Sequence, residues 1–346
     1  MKSSVHSLDA QLLAGYLEQH IEGFKGPIEI EKFAGGQSNP TFLITAQNDR
    51  YVLRRKPPGE LLKSAHAVDR EYSVLKALAD TEVPVAKAYH LCEDDSVIGS
   101  MFYVMSYEQG NIFWDPTLPD IPKAKRKDVF DDIIRVLAEM HSLDVDTIGL
   151  ANYGKPGSYF ERQMSRWSKQ YRASETDRIE AMETLMTWLS ANMPEDNEKG
   201  CLIHGDFRLD NLMLSAEDNK IIAVLDWELS TLGHPISDLA YFCMGLRLPN
   251  KGYIKGLANM DRDHFGVPSE EQMVKRYCEI RGIESIENWG FYLAFSFFRL
   301  AAIAQGVMKR ALDGNASNEN ALQTGALVVS LAEMALDIIQ TETSAA

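Results

Sequence analysis

The sequence predicts an α+β protein with a strand-rich N-terminal lobe and a mostly helical C-terminal lobe. Three observations carry this. Apolar runs of strand length fill the first hundred residues around a single important helix. Helical periodicity takes over after Gln109-Gly110, with only short strand-like interruptions. The chain is also longer, at 346 residues, than most single hydrophobic cores support. The expected division is 1–108 and 109–346, with the natural ligand site in the cleft between the two parts.

The elements follow in order. Residues 9–23 place Leu12, Leu13, Tyr16, Leu17 and Ile21 at helical spacing. Residues 28–34 and 40–46 read as strands flanking the turn Gly35-Gly36-Gln37-Ser38-Asn39. A third strand runs through Tyr51-Val52-Leu53-Arg54 and stops at Pro57-Pro58-Gly59. A helix from Ala67 to Leu78 sets Val68, Tyr72, Leu75 and Leu78 on one face, and Val83-Pro84-Val85 breaks it. Strands are expected around 88–92 and 101–105. Helices are expected over 122–141, 158–173, 177–192, 270–282, 288–312 and 318–340. Short strands are expected leading into His204, at 212–214 and at 221–225.

Composition excludes several function classes. Hydrophobic residues make up 45% and charged residues 25%, as in ordinary soluble domains, and the formal charge is −15. The one dense basic cluster, Lys123 to Lys127, is followed at once by Asp128, Asp131 and Asp132, so it reads as a solvated helix face and not as a nucleic-acid surface. Cysteines 92, 201, 243 and 278 have neither metal-knuckle nor CxxC spacing, and read as reduced thiols of a cytoplasmic protein. Met1 to Leu13 has no long apolar run, so no secretory signal is expected. Phe291 to Met308 is the most apolar stretch. With Arg299 near its middle it reads as a buried helix, not as a membrane span.

The chemistry lies in four segments. His204-Gly205-Asp206-Phe207-Arg208-Leu209-Asp210-Asn211 has five residues from Asp206 to Asn211. That is the spacing by which a kinase catalytic loop supplies a carboxylate for the hydroxyl proton and an oxygen ligand for Mg2+. Arg208 stands where a cation can face the γ-phosphate. Twenty residues after Asp206, the run Ile221–Leu225 delivers Asp226, a carboxylate suited to chelating Mg2+ across the β- and γ-phosphates. Trp227 and Glu228 follow where kinases have Phe-Gly. In the first lobe Arg54 ends a strand and Glu71 lies in the next helix, matching the cation and carboxylate that hold the α- and β-phosphates, although most kinases use Lys there. Strand alternation turns Arg55 away, and Lys56 competes for the role. Arg54 is favoured because it ends the apolar strand while Lys56 directly precedes Pro57-Pro58. Finally, Gly35, Gly36, Ser38 and Asn39 can fold over phosphates with backbone N–H groups, an arrangement that an ordinary hairpin turn would also explain. The chain has no Walker A sequence.

Taken together, these segments resemble the aminoglycoside phosphotransferase family within the protein-kinase-like superfamily. The matching pieces are Gly35–Asn39, Tyr51–Arg54, Asp69-Arg70-Glu71, His204–Asn211, Leu225–Glu228, Gly233-His234-Pro235 and Asp238. Within that family the chain resembles the kinase-like domain of acyl-CoA dehydrogenase family members 10 and 11, through residues 54–59, 64–71 and 298–306. The resemblance implies a protein-kinase-like two-lobed fold and an enzyme that uses ATP and Mg2+. Asp206 would be the base, and Asn211 and Asp226 the metal ligands. Arg54 and Glu71 would form the phosphate-binding pair, and Ser106, Tyr107 and Glu108 the hinge facing adenine. Asp238 and His204 would be supports of the catalytic loop.

The implied acceptor is a hydroxylated small molecule. The subgroup resemblance points to a hydroxyacyl or hydroxy-acid compound, with an aminoglycoside or other amino-alcohol as the alternative. A non-catalytic nucleotide-binding pseudokinase is the alternative of another class. A protein kinase is excluded, since no Ala-Pro-Glu follows Asp226 and the interval to Asp238 is too short for a long activation segment. The aromatic stripe Tyr159, Phe160, Trp167 and Tyr171 and the helix around Phe295, Phe297, Phe298 and Arg299 read either as core or as an acceptor lining. Arg299, a charge inside an apolar helix, is expected to have a carboxylate or phosphate partner.

Overall fold

The computed structural model describes residues 8–33, 39–57, 67–155, 157–195, 200–251, 255–314 and 321–345. In chain order the elements are α1 (Ala10–His20), β1 (Glu29–Lys32), β2 (Thr41–Thr45), β3 (Arg50–Arg55), α2 (Val68–Leu78), β4 (Ala88–Cys92), β5 (Phe102–Ser106) and β6 (Asn111–Ile112). There follow α3 (Lys123–Ser142), α4 (Tyr159–Ser174), α5 (Glu180–Ala191), β7 (Cys201–Ile203), β8 (Leu212–Leu214), β9 (Ile221–Val224) and β10 (Thr231–Gly233). The chain continues through α6 (Ile236–Leu246), α7 (Arg262–Phe265), α8 (Glu270–Arg281), α9 (Trp289–Leu312), α10 (Ala321–Gly325) and α11 (Val328–Ala345). Two compact units result. The first comprises 1–112, 148–150 and 211–230, and the second comprises 113–147, 151–210 and 231–346.

In the first unit, an antiparallel sheet runs in the order β1-β2-β3-β5-β4. Alternation along the strands sends Phe42, Ile44, Leu53, Phe102 and Val104 to one face, where they pack with Leu13 and Leu17 of α1. Asp9 starts α1 by accepting hydrogen bonds from the backbone N–H of Gln11 and Leu12, each at 3.0 Å. The helix stops at His20, three residues before the expected end, because Ile21 turns extended. Leu12, placed on the buried face by spacing alone, is 52% exposed. Register sets Arg54 opposite Thr41 on one side and Tyr103 on the other. The small sheet β6-β8-β9 belongs to the same unit, and so does the segment that carries Asn211 and Asp226.

The second unit is built on α9, which packs against α4, α5, α6, α10 and α11. The β7–β10 pair lies antiparallel, with Ile203 opposite Thr231. Helix α6 was not expected from the sequence. Nearly all of its residues are buried, so Leu239-Ala240-Tyr241-Phe242-Cys243-Met244 shows no amphipathic period. The single helix expected over 318–340 is interrupted: residues 315–320 lie outside the described residues, and α10 and α11 are separated at Ala326-Leu327. Two helical stretches, Trp289–Leu312 and Ala321–Thr341, are long and apolar enough to cross a membrane by length and composition. The apolar window of the first is 78% buried within the structure, as expected for a core helix, and that of the second 33%.

Candidate active site

In the first unit the predicted phosphate pair is assembled. Helix α2 presents Glu71, only 1% exposed, to the sheet, and Arg54 at the end of β3 meets it with Nε 3.1 Å from Glu71 Oε2. Tyr103 donates its hydroxyl to Oε2 at 3.0 Å, and Asn39 donates Nδ2 to Oε1 at 2.9 Å. The other end of the guanidinium reaches Asp226, Nη2 to Oδ1, at 2.6 Å, with Glu228 at 3.7 Å. Lys56, the competitor for this role, pairs with Asp69 at 3.5 Å, and Arg55 is buried on the other side with Nη1 donating to the Ile98 carbonyl at 3.0 Å.

Electrostatics follow from this crowding. Burial pushes the Glu71 carboxyl up to about 7. Arg54 and the Tyr103 hydrogen bond pull against that shift, while Asp226 and Glu228 add to it. Burial alone would lower the Arg54 guanidinium, but Glu71, Tyr103 and Asp226 hold it above its ordinary value. Arg54 therefore stays charged whichever form Glu71 takes. Asp226 adopts φ +63° and ψ +61°, a left-handed conformation that costs a residue with a Cβ about 1–3 kcal/mol and that clusters at functional sites. The Leu225 N–H donates to the Asn211 carbonyl at 2.8 Å, so the segment carrying Asn211 runs beside the one that ends at Asp226. A carboxylate on one segment and an amide oxygen on its neighbour are hard oxygen donors of the kind Mg2+ accepts when phosphates and water fill its remaining positions. These residues fit the ion.

In the second unit the backbone of the candidate catalytic loop is held from two sides. Asp238, 1% exposed near the start of α6, accepts the His204 N–H at 2.6 Å and the Gly205 N–H at 2.9 Å, and His141 Nε2 lies 3.4 Å from the same carboxylate. Burial would raise Asp238, but His141 and the loop's donors outweigh it and hold the carboxyl below its ordinary range. From α9, Arg299 donates to the Gly205 carbonyl, with its guanidinium 4.8 Å from the ring centre of Tyr241 and 5.5 Å from that of Trp167. Gly205 sits at φ +79°, which a side chain would strain. His204 is fully buried and accepts the Asp206 N–H on Nδ1 at 3.2 Å. Asp206 lies 3.5 Å from Arg208 Nε, and Arg208 also donates to Asp210 at 2.8 Å. Tyr241 hydrogen-bonds Asp206, and its hydroxyl is pushed up to about 12 by burial and by that carboxylate.

Of the two readings left open for the aromatic segments, the structure favours core. Tyr159, Phe160, Trp167, Tyr171, Phe295, Phe297 and Phe298 are all buried, because α4 and α9 pack on each other. Among the described residues Arg299 meets a carbonyl and two ring faces and pairs with no carboxylate. A pocket does border the catalytic loop elsewhere in this unit, walled by Trp114, Arg208, Asp210, Tyr241, Leu246 and Lys255. Trp114 is 55% exposed. Lys255 Nζ is 2.8 Å from Asp115, whose carboxyl stays near 2. Burial would raise it, but the hydrogen bonds from Lys255 and Thr117 outweigh that effect. Neither Trp114 nor Lys255 stands near a motif, so sequence reasoning had no signal for them.

The remaining predicted residues are accounted for as follows. Ser106 ends β5, exchanges backbone and hydroxyl bonds with Lys87, and donates to Glu108. The Tyr107 ring lies under Arg50 at 4.3 Å. Gly35, Gly36 and Ser38 lie outside the described residues, while Asn39 is buried against Glu71.

Comparison with known proteins places these groups in a lineage. The phosphotransferase enzyme family, APH, matches residues 29–266. Acyl-CoA dehydrogenase family member 10 of Mus musculus is 46% identical over 332 residues, covering 94% of this chain and 31% of that protein. Family member 11 of Homo sapiens is 43% identical over 338 residues, covering 96% of this chain and 43% of that protein. The chain thus spans less than half the length of these relatives. A solved chain from Ralstonia eutropha, provisionally named an aminoglycoside phosphotransferase, has a TM-score of 0.90 at 46% identity, covering 97% of this chain and 99% of that one. The spectinomycin phosphotransferase APH(9)-Ia, solved with ADP and spectinomycin, has a TM-score of 0.63 at 13% identity, covering 96% and 99%. The aminoglycoside phosphotransferase APH(4)-Ia, solved with ADP and hygromycin B, has 0.60 at 15%, covering 94% and 97%. The last two share the kinase-like fold. The chain belongs to the APH phosphotransferase enzyme family.

Proposed function

We propose that this chain transfers the γ-phosphoryl group of Mg·ATP to a hydroxyl of a small organic acceptor. The acceptor oxygen forms a bond to the γ-phosphorus, the bond from that phosphorus to the β–γ bridging oxygen breaks, and ADP leaves. Asp206 takes the hydroxyl proton on its carboxylate, with Tyr241 and Arg208 fixing its orientation. Arg54 binds phosphate oxygens and Glu71 orients it. Asn211 and Asp226 hold Mg2+, which supplies charge neutralisation at the phosphates when bound. Backbone groups of Ser106, Tyr107 and Glu108 face the adenine.

The observation that carries this reading is the ladder Glu71–Arg54–Asp226, whose end residue is held in a left-handed backbone conformation. A surface ion pair would need neither the burial nor the strain. For the acceptor, the pocket beside Arg208 supports a partly apolar molecule. Its walls offer Trp114, Tyr241 and Leu246, while Arg208 is paired with Asp206 and Asp210 and Lys255 with Asp115, so no cluster of unpaired carboxylates faces it. With the similarity to acyl-CoA dehydrogenase family members 10 and 11, this favours a hydroxyacyl or hydroxy-acid compound over a polycationic aminoglycoside, which needs several converging carboxylates.

The test is ADP release across a panel of hydroxylated acceptors, with kcat/KM compared for hydroxy acids, hydroxyacyl thioesters and aminoglycosides. A preference for the aminoglycosides would overturn the acceptor reading alone. Asp226→Ala is expected to abolish Mg2+-dependent turnover, and a folded Asp226→Ala protein with unchanged metal-dependent turnover would overturn the phosphotransfer reading.

A further inference from the structure

The second unit holds a cavity that the proposed reaction does not use. Its volume is about 540 Å3, within the range of about 300–1,000 Å3 typical of small-molecule sites. It lies among the end of α6, the loop before α7, the first turns of α9 and one face of α11. Leu246, Leu257, Trp289, Leu293, Phe297 and Ile338 make its apolar walls. Leu246 is the one lining residue it has in common with the pocket beside Arg208.

Two arginines border it, and they differ in their partners. Arg247 is neutralised by Glu270, with Nε 2.7 Å and Nη2 2.6 Å from its two oxygens. Glu270 also accepts the Trp289 indole N–H at 2.9 Å, which leaves that carboxylate fully engaged. Arg262 has no carboxylate partner among the described residues. Its guanidinium donates to the Pro268 carbonyl at 3.4 Å. Burial pulls its pKa down, and the charge of Glu270, shared with Arg247, offsets that only in part. Asp337 also borders the cavity, but it is exposed on α11 and pairs with none of the described cations. A half-buried arginine with donors to spare, at the edge of an apolar cavity, is an incomplete arrangement: both the charge and the walls lack a partner.

We propose that this cavity binds an amphiphile with a single anionic head and a hydrocarbon tail, the head on Arg262 and the tail along Leu246, Leu293, Phe297 and Ile338. A planar guanidinium takes a carboxylate or a phosphate monoester through paired N–H donors, so the head chemistry is a compact oxyanion. The site is independent of which acceptor is phosphorylated. It has a route to the catalytic loop, since α6 and α9 wall the cavity and also carry Asp238 and Arg299, which hold that loop.

The experiment is titration of the whole chain with decanoate, decyl phosphate and decanol, followed by calorimetry and by indole fluorescence, to which Trp289 on the cavity wall contributes. Decanoate or decyl phosphate is expected to bind saturably, at least tenfold tighter than decanol, and whichever is tighter names the head group. Arg262→Gln should remove that preference, and Met334→Trp, which fills the cavity while leaving Arg262 in place, should abolish binding of all three. Absence of saturable binding of either anion below millimolar concentration would overturn the proposal. Equal binding of anion and alcohol, or decanoate affinity unchanged in both variants, would do the same.

Discussion

Replacing Asp238 by Asn tests whether the catalytic loop is held by this one carboxylate. The substitution keeps size and shape, so the effect is one of hydrogen bonding and charge. In the native protein both oxygens accept backbone N–H groups, from His204 at 2.6 Å and from Gly205 at 2.9 Å, in a site with no access to water. An amide offers only one oxygen. Either orientation turns an NH2 group toward a buried N–H, which leaves that donor unsatisfied at a cost of about 1–3 kcal/mol, and the surviving bond loses its charge assistance, about 1 kcal/mol more. The sum is about 2–4 kcal/mol, which for a unit of roughly 200 residues lowers the melting temperature by about 4–16 °C. The pH dependence gives a second readout. Asp238 is held below the ordinary carboxylate range, so it contributes stability above that range and loses it as pH falls through its own depressed value. The gap between wild type and Asp238→Asn should therefore close in acid. Calorimetric melts from pH 3 to 8 read both effects, alongside kcat and nucleotide affinity at pH 7. A variant that melts within about 1 °C of wild type at neutral pH, or a gap that widens in acid, would refute the reasoning.

Further outcomes follow from the same geometry. Asp206→Asn should lower kcat by at least about 100-fold, the contribution general-base groups make, while leaving the nucleotide dissociation constant within a few-fold; equal losses in both would show that Asp206 acts in nucleotide binding. Glu71, raised to about 7, keeps a proton in the folded state that the unfolded chain sheds near 4.5, so its contribution makes stability fall as pH rises between those values, by up to about 3 kcal/mol. Glu71→Gln should flatten that slope in urea melts between pH 4.5 and 8, and a slope identical to wild type would assign it to other groups.

What the sequence shows of the candidate site rests on the spacing that kinase chemistry would impose on the chain. Asp206 to Asn211 is a loop of fixed length, and Asp226 must end a strand, so residue spacing alone locates both. Alternation turns Arg55 away, and Arg54 is separable from Lys56 because Arg54 ends the apolar strand while Lys56 directly precedes Pro57-Pro58. What escapes has a common cause. The clamp on the loop comes from α6 and α9, which are buried on all sides and carry no amphipathic signal, so neither the helical state of 236–246 nor the direction in which Arg299 points is written in a periodic pattern. Among the described residues no carboxylate pairs with Arg299, whose guanidinium instead meets a carbonyl and two aromatic faces. The aromatic stripe of α4 is core for the usual reason: large apolar side chains at helical spacing fill interiors first.

The use of arginine at position 54, where most kinases have lysine, has a physical consequence for the proposed reaction. Three carboxylates, Glu71, Asp226 and Glu228, lie within 4 Å of this one guanidinium. One buried and two half-buried carboxylates grouped on a single guanidinium are a poor device for stability alone, since the desolvation cost of the inner pair rivals its attraction. The left-handed backbone of Asp226 adds strain that better packing would not require. The arrangement makes sense when Mg·ATP completes it, because the nucleotide brings both an anion for Arg54 and a cation for Asp226. Each can then exchange its present partner for a new one without leaving a bare charge. Arginine suits this exchange. Its Nε faces Glu71 while Nη2 faces Asp226, so one edge of the fork can keep its anchor as the other turns to phosphate. A lysine would have to divide a single ammonium between the two. Glu71 is held by Tyr103 and Asn39, so in the proposed reaction it would be the fixed point of the ladder and Asp226 the end that the nucleotide would release.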